Sequence, residues 1–209
     1  MITLNIATRS LFPTPVAAVA TPGAEARNAA LKDVILERQR LMPSMRASNS
    51  GGWHSDRDLL AWGGTAAAEV IEMARAVANH MTRDRSGGEV RPAWIITAWA
   101  NVNGPGNSNF CHYHPGSFWS GTYYVDTGGD PGSQEHGGEF EMLDPRGAAP
   151  AMLAPTLAFA GEGGGAAGAT ESIEPRAGLL FLFPSWLHHQ VRAYNGQGTR
   201  ISIAFNMRI

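Results

Sequence analysis

Apolar residues recur along this chain with two different periods, and the change of period divides it. Leu31, Val34, Ile35, Leu41 and Met42 share one stripe of a 3.6-residue repeat, which predicts a helix over 24–42. Pro43 is placed to end it, because a proline drives the residue before it out of helical geometry. A second stripe, Val70, Met73, Ala74, Val77 and Met81, predicts a helix over 65–80. From Ala93 onward the runs become short and rich in β-branched and aromatic residues. Segments 93–102, 120–125, 139–143, 178–183 and 200–207 read as strands, punctuated by Gly, Pro, Asn and Asp. Met1–Ala7 reads as one more short strand, and Leu11-Phe-Pro-Thr-Pro15 as a proline-bent entry. Ser48–Ser55 reads as a turn-rich loop, and Gly-rich Ala158–Gly168 as a surface loop or lid.

Two helices followed by many short strands predict a curled antiparallel double sheet with the helices packed outside it. No internal repeat or linker divides the chain, so 1–209 reads as a single domain large enough for a sizeable core. Lys plus Arg number 16 against 18 Asp plus Glu, a net charge of −2 with no basic run, which argues against a nucleic-acid partner. Only 16% of residues are charged and 25 are glycine, as suits a loop-rich β protein. The lone Cys111 excludes an internal disulfide and fits a reducing compartment. No apolar run is long enough to cross a bilayer. Val16–Ala20 faintly mimics a signal-peptide core, but Pro13, Pro15 and Pro22 interrupt it. The expectation is a cytoplasmic protein with no membrane partner, and a homodimer is possible for a fold with exposed sheet edges.

The candidate chemistry lies in three stretches. His112 and His114 sit one residue apart where a strand would end, and strand residues i and i+2 share a face. His189 comes from a remote part of the chain, and Arg200 follows it within the span of a short turn and strand. Two histidines from one strand end and a third from a distant strand could form a three-point facial metal site with open positions for substrates. Of the adjacent pair His188 and His189, alternation lets only one face that site.

In order and spacing, the motifs resemble the iron(II)- and 2-oxoglutarate-dependent oxygenases, in particular an uncharacterised bacterial and phage branch. The branch pattern runs H-x-H-P, S-G-x-Y-Y, D-P-R, F-P-S-W-x-x-H-x-V, R-I-S-I-x-F-N. It is met here by His112-Tyr-His114-Pro115, Ser120-Gly-Thr-Tyr-Tyr124, Asp144-Pro-Arg146, the stretch 183–191 and Arg200-Ile-Ser-Ile-Ala-Phe-Asn206. Leu11-Phe-Pro-Thr-Pro15 and Gly51-Gly-Trp-His-Ser55 match it too, so the likeness covers nearly the whole chain. The resemblance implies a mainly β fold, the cupin-like double-stranded β-helix or jelly roll, with flanking α-helices. It also implies a hydroxylase-type dioxygenase that binds Fe(II), 2-oxoglutarate and dioxygen, yields succinate and CO2, and oxidises an unidentified substrate.

By the same resemblance His112 and His189 are metal ligands, His189 being favoured over His188. Arg200 anchors the far carboxylate of 2-oxoglutarate through its bidentate fork, with Ser202 and Tyr124 beside it. His114 stands where the superfamily usually has a carboxylate, which leaves three options. A three-histidine centre operates, or Asp126, Glu139 or Asp144 replaces His114, or the site binds metal without turnover. Two other readings stay open: a cupin-like three-histidine metalloprotein acting without 2-oxoglutarate, and a non-catalytic binding barrel. Phe118, Trp119, Phe181, Phe183 and Trp186 are expected to form an apolar wall. Cys111 is expected to be a small buried residue, and His54, His80 and His136 to be ordinary, with His54 near the mouth. Trp94 and Trp99 read as core or pocket wall. The 161–168 stretch lacks the Lys-Ser or Lys-Thr of a phosphate loop.

Overall fold

The computed structural model describes residues 5, 7, 11–129, 137–147, 156–157 and 170–209. The strand expected over Met1–Ala7 falls largely outside them; Ala158–Gly168 and His136 lie wholly outside. In chain order the elements are β1 (Ala17–Ala20), α1 (Ala24–Leu41), β2 (Asn49–Ser50), β3 (Trp53–His54), α2 (Leu59–Trp62) and α3 (Gly64–Met81). There follow β4 (Ile95–Asn103), β5 (Ser108–His112), β6 (Trp119–Thr127), β7 (Phe140–Leu143), β8 (Thr170–Ile173), β9 (Leu179–Pro184), β10 (His189–Val191) and β11 (Arg200–Arg208).

Both expected helices are present, and both end where the periodic stripes end. α1 stops at Leu41, where extended Met42 leads into Pro43 and its N–H still bonds back to Arg38 O. The strands form two antiparallel sheets, β1-β9-β6-β11-β4-β3 and β2-β5-β10-β7-β8. Among the described residues the helices pack on the first sheet, with α1 against β6, α2 against β4, and α3 against β6 and β9.

Alternation then sorts each strand of the larger sheet into two faces. On the helix face Ala98, Ala100 and Val102 of β4 join Trp119, Tyr123 and Val125 of β6, and Leu180 and Leu182 of β9. Ile201, Ile203, Phe205 and Met207 of β11 complete this core with Leu31, Ile35, Val70, Ile71 and Ala74 of the helices. The opposite face turns toward the smaller sheet, so that Phe181 and Phe183 meet Phe140 at 6.5 and 5.3 Å. A second apolar cluster of Phe140, Met142, Phe183 and Leu187 fills one end of this interior.

Two irregularities re-aim residues. Ile201 pairs with Asp126 but Ser202 pairs with Tyr124, so Val125 bulges. Simple alternation would give Tyr124 and Asp126 the same face. The bulge sends Asp126 out to Lys32 on α1, at 2.6 Å. On the smaller sheet His189 pairs with His112 and Val191 with Asn109, which squeezes an extra residue into β5. Phe110 and Cys111 are therefore both exposed. The expectation that Cys111 would be buried is corrected: no helix among the described residues covers that side of the smaller sheet.

Candidate metal and co-substrate site

His112 is the last residue of β5 and His189 the first of β10, and the two are direct cross-strand partners. His114 lies past the strand end, yet its N–H bonds to Ser185 O at 2.9 Å, which keeps the extended alternation going beyond the strand. Tyr113 consequently turns outward and meets the exposed His188 at 4.7 Å, while His112 and His114 turn inward. The three rings lie 4.4 Å (His112–His189), 4.9 Å (His112–His114) and 5.1 Å (His114–His189) apart. One nitrogen from each falls within 4.8 Å of the others, a grouping able to hold a metal ion.

Hydrogen bonding orients two of the three rings. His112 Nδ1 is 2.6 Å from Phe110 O and His189 Nδ1 is 2.8 Å from Leu187 O. A carbonyl only accepts, so both Nδ1 atoms carry the proton and both Nε2 atoms keep a lone pair, that of His112 facing the Ser48 hydroxyl at 3.4 Å. His114 Nδ1 lies 3.4 Å from the Asn206 amide, whose Oδ1 accepts from Ser120 Oγ at 2.8 Å. Phe183 and Phe140 pack on His189 at 4.8 and 5.1 Å and shield it from water.

Burial sets the charge state of the cluster. Desolvation, aided by the neighbouring His189, His112 and Arg57, pushes His114 down to about 3. Desolvation, with His112, pushes His189 down to about 4, and burial lowers His112 too. All three rings are neutral near pH 7, as ligation requires. Because these folded-state values lie below the ordinary 6.5, the unfolded chain takes up protons first. Stability of the metal-free protein should be full above about pH 6.5 and fall as the pH drops toward 4. Each shifted ring adds a slope of at most about 1.4 kcal/mol per pH unit. Urea unfolding between pH 7.5 and 4.5 with chelator present tests this, and His114→Asn should show a shallower fall. A profile identical in the two proteins would contradict a buried neutral cluster.

Arg200, first residue of β11, is 3% exposed and has no acidic partner among the described residues. Its guanidinium lies 5.2 Å from the Tyr124 ring centroid, and Gly138, at φ +79°, leaves room over its side chain. Arg200 Nε and Tyr124 Oη are both buried without a hydrogen-bond partner among the described residues. Burial raises the Tyr124 phenol above its ordinary value against the pull of the Arg200 charge, so it remains a donor. Ser202, also buried, pairs with Tyr124 on one side and Asn101 on the other. Arg200, Ser202 and Tyr124 thus share the interior face with the histidine cluster. Unpartnered buried donors beside a neutral three-nitrogen set suit a metal chelated by an anionic acid.

The alternative carboxylates stay away from the cluster. Asp126 pairs with Lys32, Glu139 lies 3.8 Å from Arg192, and Asp144 holds Arg146 at 2.6 Å. The expected apolar wall is only partly met. Phe181 and Phe183 line the interior, but Trp119 faces the helices, its indole N–H donating to Thr82 Oγ1 at 2.9 Å. Phe118 and Trp186 are about half exposed. Phe140 takes their place against His189; the alternation in Glu139–Leu143 carried that signal. His54 and Trp99 also belong here, stacked at 5.5 Å with Trp99 6.0 Å from His114.

No helix among the described residues is long and apolar enough to cross a membrane. Residues 97–206, which contain all six site residues, match the family described as "Putative 2OG-Fe(II) oxygenase". No curated protein matches the chain. Among solved structures, a prolyl-4-hydroxylase from Pseudomonas putida is similar at 17% identity and TM-score 0.61, over 92% of this chain and 91% of that one. A prolyl hydroxylase from Trichoplax adhaerens, in complex with a hypoxia inducible factor oxygen degradation domain peptide fragment, is similar at 12% identity and TM-score 0.62, over 92% and 83%. HygX from Streptomyces hygroscopicus, with nickel and 2-oxoglutarate bound, is similar at 11% identity and TM-score 0.60, over 93% and 83%. These likenesses fix the fold as a double-stranded β-helix with flanking helices. With more than half of its length matched by the family, the chain belongs to the 2-oxoglutarate- and iron(II)-dependent oxygenases, enzymes of dioxygenase type whose cofactors are Fe(II) and 2-oxoglutarate.

Proposed function

We propose that His112, His114 and His189 hold Fe(II) through their Nε2 atoms, with no carboxylate ligand. Arg200 receives the far carboxylate of 2-oxoglutarate, helped by Ser202 and Tyr124, and the enzyme is a hydroxylase-type dioxygenase acting on an unidentified substrate with succinate and CO2 as co-products. The observation that carries this reading is the convergence of three neutral imidazoles on the same interior face as a buried guanidinium without a counter-ion among the described residues. A three-histidine centre working without 2-oxoglutarate would leave that guanidinium uncompensated, at a cost of several kcal/mol.

When bound, iron and 2-oxoglutarate together supply dioxygen activation coupled to decarboxylation. The chain's own residues do the positioning. The backbone carbonyls of Phe110 and Leu187 lock two imidazoles in the ligating tautomer. Arg200 offers two parallel donors to a carboxylate, and the protonated Tyr124 and Ser202 hydroxyls can add one each. Phe140, Phe181 and Phe183 keep water from the His189 side.

Because all three ligands are neutral, the charge of the metal is balanced by the co-substrate rather than by the protein. Each should therefore raise the other's affinity, by about tenfold or more. Anaerobic titration with Fe(II) and 2-oxoglutarate should give the weak visible charge-transfer band of the chelate only when both are present, with tighter iron binding in the presence of the acid. Absence of the band at saturating concentrations of both would sink the reading.

A further inference from the structure

The motif Gly51-Gly-Trp-His-Ser55 and the residues after it lie beside the cluster without a part in holding metal or co-substrate. This segment is tied to the edge of β4 at successive points. Trp53 and His54 pair with Val102 and Asn101. Ser55 N–H donates to Ala100 O, Ala100 N–H donates to Ser55 Oγ, both at 2.9 Å, and Asp58 bridges Ala98. The fixed segment lays the His54 ring on Trp99 and sets the Arg57 guanidinium carbon 5.6 Å from the Trp99 ring centroid. Trp99 in turn lies 6.0 Å from the His114 ring. One indole is therefore a neighbour of both the Arg57 guanidinium and the metal-binding ring.

Arg57 is exposed and carries no hydrogen bond or ion pair among the described residues. The acids on either side of it are drawn elsewhere: Asp56 and Asp58 both face Arg38, at 3.9 and 3.8 Å. The carboxylates of β6, β7 and the turn after it are likewise engaged with Lys32, Arg192, Gln190 and Arg146. Arg200, on the interior face with the histidines, and Arg57, on Trp99 beside His114, both remain without an acid among the described residues. One guanidinium is buried and serves the co-substrate in the reading above; the other is open to solvent. An arginine resting on an indole keeps its fork edge free, which is the edge that binds a carboxylate or phosphate with two parallel hydrogen bonds.

We infer that Arg57, held over Trp99, is the receiving point for an anionic group, a carboxylate or a phosphate monoester, on the primary substrate of this enzyme. The inference rests on the proposed metal centre. With Asp56 and Asp58 both turned to Arg38, the Arg57 fork is left to an outside anion, and such a group held there would orient the substrate carbon that is to be oxidised toward His114.

The test uses the full chain loaded with Co(II) and 2-oxoglutarate, and two probes, methyl phosphate and acetate. Paramagnetic relaxation of each probe's methyl protons reports anion binding near the metal, and the visible Co(II) bands report that metal and acid are in place. Wild-type protein should show saturable relaxation for at least one probe. Arg57→Gln should reduce it at least fivefold at equal Co(II) absorbance, and Arg57→Lys should retain part of it. Preference for methyl phosphate assigns a phosphate ester, preference for acetate a carboxylate. An anion that merely ligates the metal would be indifferent to Arg57, so equal relaxation in wild type and Arg57→Gln overturns the inference while leaving the metal centre intact. No relaxation of either probe in the loaded wild type overturns it as well. Absence of the Co(II) bands would overturn both.

Discussion

Replacing Arg200 with methionine should weaken 2-oxoglutarate binding by about 30- to 100-fold, yet leave the ligand-free protein as stable as before or more so. The two effects have one cause. A guanidinium that is 3% exposed, with an unpartnered Nε and no acid among the described residues, is a charge held out of water without compensation. Methionine matches much of its length without the charge and removes that cost. The same substitution deletes a bidentate, charge-assisted contact to a carboxylate, for which a loss of about 2–3 kcal/mol is typical. Lysine should not restore the affinity, because a point charge cannot reproduce the fork. Chelate absorbance against 2-oxoglutarate concentration and the thermal midpoint of the metal-free protein give the two numbers. Unchanged affinity, or a destabilisation of several kcal/mol, would make Arg200 a structural residue and remove the anchor from the proposed site.

His189→Ala should abolish the chelate at any practical concentration of iron, whereas His188→Ala should leave metal affinity within about twofold. The two residues are adjacent in sequence and opposite in environment. His189 is buried between Phe183 and Phe140, and its ring is the direct partner of His112 across the strands. Losing a partner that merely orients a ligand already costs about 10–100-fold in metal affinity, and losing the ligand itself costs more. His188 is exposed and contacts Tyr113 on the outer surface. Isothermal titration with Co(II) or Fe(II) separates the cases. A His188→Ala protein as impaired as His189→Ala would mean that β10 presents the opposite face to the metal.

The helices are legible because eighteen residues of α1 and eighteen of α3 repeat their apolar positions over several turns. The inner face of β11 is legible for a similar reason: an unbroken nine-residue strand keeps Arg200 and Ser202 on one side and Ile201 and Ile203 on the other. What escapes is short or irregular. Two-residue β3 and four-residue α2 offer no period to read, and β1 hides in what looks like an interrupted signal core. Asp126 is a candidate ligand only if β6 is regular; one bulged residue, Val125, turns it toward Lys32. Alternation puts Cys111 and Trp119 near the correct strands but gives them the wrong surroundings, because it names a face without saying what covers it. A helix layer lies over Trp119, and nothing comparable among the described residues lies over Cys111.

β11 is hydrogen-bonded on both edges, to β4 and to β6, along its length. Its odd-numbered residues from Ile201 to Met207 are the centre of the helix-side core, while Arg200, Ser202 and Asn206 face the histidines. A slip of a single residue would drive the guanidinium into hydrocarbon and present isoleucine to the reacting centre. Chemistry and architecture are written on alternate letters of one ribbon. Selection acting on either is thereby obliged to preserve the phase of both, and new specificity is more freely acquired at the rim, where side chains answer to only one master.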